Sequence, residues 1–231
     1  MSEYNRRDIL KLSGQAFLAL TACSPLLSAA ASNENSAISW ERFLELCHQL
    51  SETQFEPDWD QLKYTQKVQQ RLFKLKVDDA KIEAIIRRYR NFRKDFPEIR
   101  PMHYQQRFMV SMLEFEPGEE IGLHDHPDMT GVTLCLEGDL KVEHYDLLEQ
   151  RSESGMFLLK EQQKLNMTKG DSAILTVDHG NIHTLRADKF TRLIDVFTPP
   201  YNRDRAQRSK YFQKAETAYL NQAGVFEAEV I

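Results

Sequence analysis

The feature that most constrains this chain is a change of hydrophobic period at His103. From there to Tyr201 the residues alternate apolar and polar in short runs, and turn signals cut the runs at intervals of roughly 8–12 residues. The runs are Phe108–Phe115, Gly131–Leu136, Leu140–Tyr145, Met156–Lys160, Ser172–Val177, Ile182–Leu185 and Thr191–Phe197. The turns fall at Pro117-Gly118, Glu137-Gly138-Asp139, Gly155 and Lys169-Gly170-Asp171. Alternate side chains of a strand share a face, so many short runs with an apolar face point to a sandwich or a barrel. Upstream, residues 39–52, 61–75 and a stretch from Asp78 carry apolar residues at helical spacing. Ser39 is placed to cap the first helix, and Ile82, Ile85, Ile86 and Tyr89 form one stripe of the third. Pro97 and Pro101 end the helical part, and the tail from Arg203 to Leu220 reads as a closing helix. The expected fold is mainly β: a barrel over 103–201, a helical region over 32–102, and a C-terminal helix and tail over 202–231.

Residues 1–31 read as an address. Asn5-Arg6-Arg7-Asp8-Ile9-Leu10-Lys11 is followed by an apolar stretch from Ala16 to Leu27 and by small residues, the outline of a twin-arginine export signal. The apolar core is shorter than the ~20 residues that span a bilayer. The expectation is an exported, periplasmic protein whose partner during export is the twin-arginine machinery. Two processing sites compete: Ala29-Ala30-Ala31 before Ser32, and Leu20-Thr21-Ala22-Cys23, which resembles a lipoprotein signal. Contact with a membrane is expected only if Cys23 is lipidated. The other cysteines, Cys47 and Cys135, fall in dissimilar settings, so no disulfide framework is implied. A net charge of −5 on 231 residues argues against a nucleic-acid partner. The basic run Arg87–Lys94 sits among acids and reads as a solvated helix face.

The chemistry concentrates in two glycine-framed segments. In the first, Gly118 precedes His124-Asp125-His126, and the two histidines, two residues apart, point to one side of a strand. In the second, Gly170-Asp171 leads to Gly180-Asn181-Ile182-His183. His124, His126 and His183 are thus the candidate metal ligands. His48, His103, His144 and His179 are read as helix, loop, charged-strand and turn positions without a ligand role. The two segments resemble, in order and spacing, the two motifs of the cupins, whose fold is a double-stranded β-helix or jelly-roll barrel. Many cupins add a glutamate four or five residues after the second histidine; here Thr130 and Gly131 stand there. A divalent ion on three neutral histidines keeps its charge and open positions, which favours an anionic ligand such as a thiolate.

Leu123-His124-Asp125-His126-Pro127-Asp128-Met129 resembles a segment of the cysteamine dioxygenase and plant cysteine oxidase family, and Asp195-Val196-Phe197-Thr198-Pro199-Pro200-Tyr201 resembles that family's D-x-x-x-P-P-Y ending. The likeness runs over residues 104–201. It implies a non-haem Fe(2+) thiol dioxygenase that uses both atoms of O2 to turn a small thiol or a cysteine-containing substrate into a sulfinic acid. Carried over, His124, His126 and His183 hold the iron. Asp195 binds a substrate ammonium or orients a ligand, and Tyr201 donates a hydrogen bond to bound oxygen or substrate. Folding around iron before export would protect the site from copper and zinc, which bind such sites more tightly. Asp128 departs from the glycine common at its position, and Cys135 does not match the spacing of a cysteine–tyrosine crosslink. Arg107 and Arg186 are candidates to bind a substrate carboxylate. Another metal-dependent cupin oxygenase with a non-thiol substrate, or a non-catalytic cupin that binds a ligand, stays open as an alternative.

Overall fold

A computed structural model of the protein describes residues 36–78, 80–89 and 97–231. The paired arginines, both processing sites and Arg90 to Lys94 lie outside the described residues. Helix α1 (Trp40–Ser51) starts at Ser39, whose hydroxyl accepts the Arg42 N–H at 3.3 Å. Helix α2 (Gln61–Leu72) starts at Asp60, which accepts the Lys63 N–H at 2.9 Å. Both are side-chain N-caps that satisfy an otherwise orphaned donor. Helix α3 (Ala80–Tyr89) follows, with Ile82 and Ile86 buried on the expected stripe.

The strands are β1 (Glu98–Tyr104), β2 (Met109–Phe115), β3 (Glu120–His124), β4 (Thr130–Glu137), β5 (Asp139–Arg151), β6 (Phe157–Thr168), β7 (Ser172–Leu175), β8 (Ile182–Ala187) and β9 (Thr191–Thr198), with β10 (Phe212–Lys214) and β11 (Val225–Val230) in the tail. They form two antiparallel sheets, in the orders β1-β2-β9-β4-β7 and β10-β11-β6-β5-β8-β3. This is the expected cupin barrel. Alternation sorts its faces: Ile194 and Val196 of β9 join the helices' Phe43, Val68 and Ile82 in one core, while Leu193, Asp195 and Phe197 point the other way, into the barrel. Inside, Leu113, Leu140, Val142, Leu185 and Leu193 pack one end, and Met129, Leu175 and Phe197 pack the other.

Two elements differ from the sequence-based expectation. The first strand begins at Glu98 and contains Pro101, a residue expected to end the helical part. β1 is an edge strand and its register shifts at Pro101/His103, a setting where proline's missing donor costs little. The closing helix is corrected more heavily: α4 covers only Arg203–Arg208, capped by Asn202, and the chain then turns into β10 and β11. The physical reason is burial of Phe212 and Ala228 against Leu123, Tyr145, Leu159 and Ile182, which outweighs local helix propensity. Tyr211 bridges to His124, so the second sheet almost closes on itself.

Candidate metal centre

β3 and β8 pair as Ile121↔Leu185 and His124↔His183, so β3 carries one extra residue between those pairs. This bulge turns both Ile121 and His124 inward although they are three residues apart, the re-aiming that bulges provide beside sites. His126 lies past the end of β3. It is held instead by Asn181, whose side-chain oxygen accepts the His126 N–H at 2.8 Å. The Asn181 amide also donates to the carbonyls of His126 (3.1 Å), Met129 (3.3 Å) and Thr176 (3.1 Å), fastening the loop after β3 to the start of β8. Asp128 in that loop has φ 59°, the left-handed region that glycine favours and aspartate tolerates, which explains how the two residues interchange there.

The ligand atoms of His124, His126 and His183 all lie within 4.8 Å of one another, and all three residues are buried. Nε2 of His126 and Nε2 of His183 are 3.1 Å apart, a spacing that two ligands of one ion keep. The opposite ring nitrogens face outward. Nδ1 of His124 donates to the Gly122 carbonyl at 2.8 Å, and Nδ1 of His126 bonds the Tyr201 hydroxyl. Such bonds fix the tautomer that leaves Nε2 free for a metal. Burial holds His124 below the usual histidine pKa, and burial together with the neighbouring histidines holds His126 and His183 well below it. The three are neutral at neutral pH, the form that binds metal. The donor set therefore fits one divalent first-row ion.

The histidines line one wall of a cavity of about 430 Å³. Ile99, Met109, Leu113, Ile121, Leu185, Phe197 and Ala206 make most of the remainder, so the cavity is largely apolar. Among the described residues its one acidic lining residue is Asp195, 5% exposed, with Oδ1 buried and without a protein partner. Burial pushes this carboxyl up to about 7, against a hydrogen bond from Thr133. Ser111, directly across β2/β9 from Asp195, lines the same cavity and its hydroxyl is also buried without a partner. Tyr201 lines the cavity, but its hydroxyl rests on His126. Among the described residues, no lysine or arginine lines the cavity. Arg107 pairs with Glu52 and Arg186 with Asp188 on exposed surface, so neither sequence candidate for a carboxylate partner reaches the site.

His48 and His179 are exposed and pair with Glu52 and Asp146. His103 lies on β1 rather than in a loop, its ring tilted against Phe108, and it does not line the cavity. Cys135 is buried at the far end of the interior and donates to the Glu137 carbonyl. His144 departs from its reading as a charged-strand residue: it is 3% exposed and faces inward. The signal was its place in Leu140, Val142, His144, every second residue of β5. Asn181 reads in sequence only as motif framing; its bonds to the backbones of His126, Met129 and Thr176 reveal what it does.

Comparisons with known proteins show which family the sequence matches. The family model described as PCO_ADO matches residues 65–230. Plant cysteine oxidase 2 of Arabidopsis thaliana is 25% identical over 127 residues, which are 53% of this chain and 46% of that protein. Plant cysteine oxidase 1 of the same plant is 27% identical over 122 residues, 50% of this chain and 42% of that protein. A probable 2-aminoethanethiol dioxygenase of Dictyostelium discoideum is 24% identical over 117 residues, 49% of this chain and 54% of that protein. The chain spans about half the length of the curated relatives it matches.

Proposed function

Because the chain belongs to the PCO_ADO family, we propose that it is a thiol dioxygenase that holds ferrous iron on His124, His126 and His183 and oxidises an amine-bearing thiol to a sulfinic acid with O2. The observation that carries this reading is the pairing of three neutral metal-facing histidines with a single buried carboxylate in an apolar cavity. The reaction balances without a further reductant: both oxygen atoms end on sulfur, and the thiol sulfur supplies every electron that O2 takes up. Ferrous iron, when bound, would supply the O2-activating redox chemistry and stabilise the substrate as thiolate. The chain's own residues do the rest. The unpartnered Oδ1 of Asp195 takes the substrate ammonium, with the Ser111 hydroxyl beside it. The apolar walls exclude water, and this orientation holds sulfur in place for attack. Tyr201 accepts the His126 Nδ1–H, which leaves its own hydroxyl proton to donate into the cavity. With no lysine or arginine at the wall among the described residues, a substrate carboxylate finds no partner there, which favours cysteamine or an N-terminal cysteine over free cysteine.

The test is oxygen uptake by protein loaded with iron under anaerobic conditions. Uptake is expected with cysteamine and with a peptide bearing an N-terminal cysteine, and least with 3-mercaptopropionate. Iron-loaded protein that consumes no oxygen with any of these thiols would move the site to a non-thiol substrate or to ligand binding. Arg6 and Arg7 support a second proposal, export by the twin-arginine route. Replacing both by lysine should retain the chain in the cytoplasm; unchanged export would contradict it.

A further inference from the structure

We propose that His144 is a positioning residue for His183 and acts through one water molecule held between the two rings. Of the three metal-facing histidines, His124 and His126 each place Nδ1 on a partner, the Gly122 carbonyl and the Tyr201 hydroxyl. Nδ1 of His183 is buried and has no protein partner. A ligating histidine nearly always donates its other ring N–H, because that bond sets the ring's tautomer and angle. His144 lies directly across β5/β8 from His183, with ring centroids 5.4 Å apart and planes at 80°. Its Nδ1 donates to the Gly180 carbonyl at 2.7 Å, so its Nε2 is an acceptor, and that atom too is buried without a partner.

The two orphans are therefore a donor and an acceptor, and both rings line one small cavity of about 10 Å³, together with Gly131 and Thr133. That volume suits a single water, which needs polar partners of this kind. The water accepts from Nδ1 of His183 and donates to Nε2 of His144. Gly180 is built into the same device: a Cβ there would lie 3.0 Å from Nδ1 of His144, and its φ of +64° brings its carbonyl onto that ring. Leu140 and Val142 fill the neighbouring inward positions of β5 with plain hydrocarbon, so packing alone does not call for an imidazole at 144.

The inference rests on the metal reading of the triad, and the experiment separates the two. Cobalt(II) is titrated into the metal-free full chain of the wild type, His144→Leu and His144→Gln. Affinity is read by calorimetry, and the exchangeable imidazole N–H signals by paramagnetic proton NMR. His144→Leu should bind cobalt about 10–100-fold more weakly and lose or shift one of these N–H signals. His144→Gln offers an amide oxygen where Nε2 stood and should recover most of the affinity. Wild-type affinity and signals in His144→Leu would overturn the proposal, as would a loss that glutamine does not rescue. A wild type that binds no cobalt would overturn the metal reading along with it. Should His144→Leu fail to fold, an atomic-resolution crystal structure of the wild type decides: a water within hydrogen-bond distance of both nitrogens supports the relay, and a cavity without one overturns it.

Discussion

Burial of Asp195 has a consequence that can be measured without substrate. Its carboxyl is raised from 3.8 to about 7 in the folded protein, by burial first. Between those values the native state keeps a proton that the unfolded chain has released. Stability therefore falls as pH rises through this window, and the loss is complete above it. Asp195→Asn should unfold at a higher temperature than the wild type above pH 7 and show no such advantage below pH 4; thermal unfolding across pH checks this. The same substitution should raise KM for cysteamine more than for 3-mercaptopropionate, because only the first presents an ammonium. The histidines work in the opposite direction: their native pKa values lie below 6.5, so their contribution is present above that pH and lost as pH falls. The three candidate ligands and Asp195 were legible because their spacing and the family motif survive in one dimension. His144 was not, because its meaning depends on a partner strand 39 residues away whose register alone places it opposite His183.

At the scale of elements, the first sheet carries a buried ionic chain. Arg100 of β1 bonds Glu98 at 2.7 Å and Glu114 of β2 at 2.7 Å, and Arg192 of β9 reaches Glu114 at 2.8 Å. Removing one member of such a network leaves a buried charge unpaired. Arg100→Met should therefore destabilise by about 3–5 kcal/mol, read as a shift of the urea midpoint. The turn between β4 and β5 is equally exacting. Gly138 has φ +90°, and a Cβ there would lie 2.3 Å from the Phe190 carbonyl oxygen. The strands of the barrel were legible because each has a face to bury and a turn to stop it. β1 was missed because proline reads as a breaker until the strand is known to be an edge. The tail was misread because its local pattern suits a helix, and only the cluster around Phe212 pulls it into a sheet.

At the scale of the molecule, the tail completes the site. Lys210 exchanges backbone and side-chain bonds with Asp125, Arg208 pairs with Asp128, and Tyr211 stacks on His124 with centroids 5.5 Å apart. The loop that carries the candidate ligands His124 and His126 is thus braced by the segment that runs from the end of α4 to the start of β10. Phe212→Ala should destabilise by about 3–5 kcal/mol and weaken metal binding with it, read by unfolding and by cobalt titration; a variant that unfolds earlier yet holds metal as tightly would separate the tail from the site. The helices α1 to α3 cover the other sheet and leave the cavity to the barrel interior.

Isotopically heavy O2 tests directly whether these three histidines support thiol dioxygenation. Protein loaded with ferrous iron is mixed with cysteamine, and the product is weighed by mass spectrometry beside the same reaction with His183→Ala. The expected result is a sulfinic acid carrying both heavy oxygen atoms from the wild type, and no thiol-dependent uptake from the variant. A product with no heavy oxygen, or full activity in His183→Ala, would contradict a thiol dioxygenase built on these three histidines.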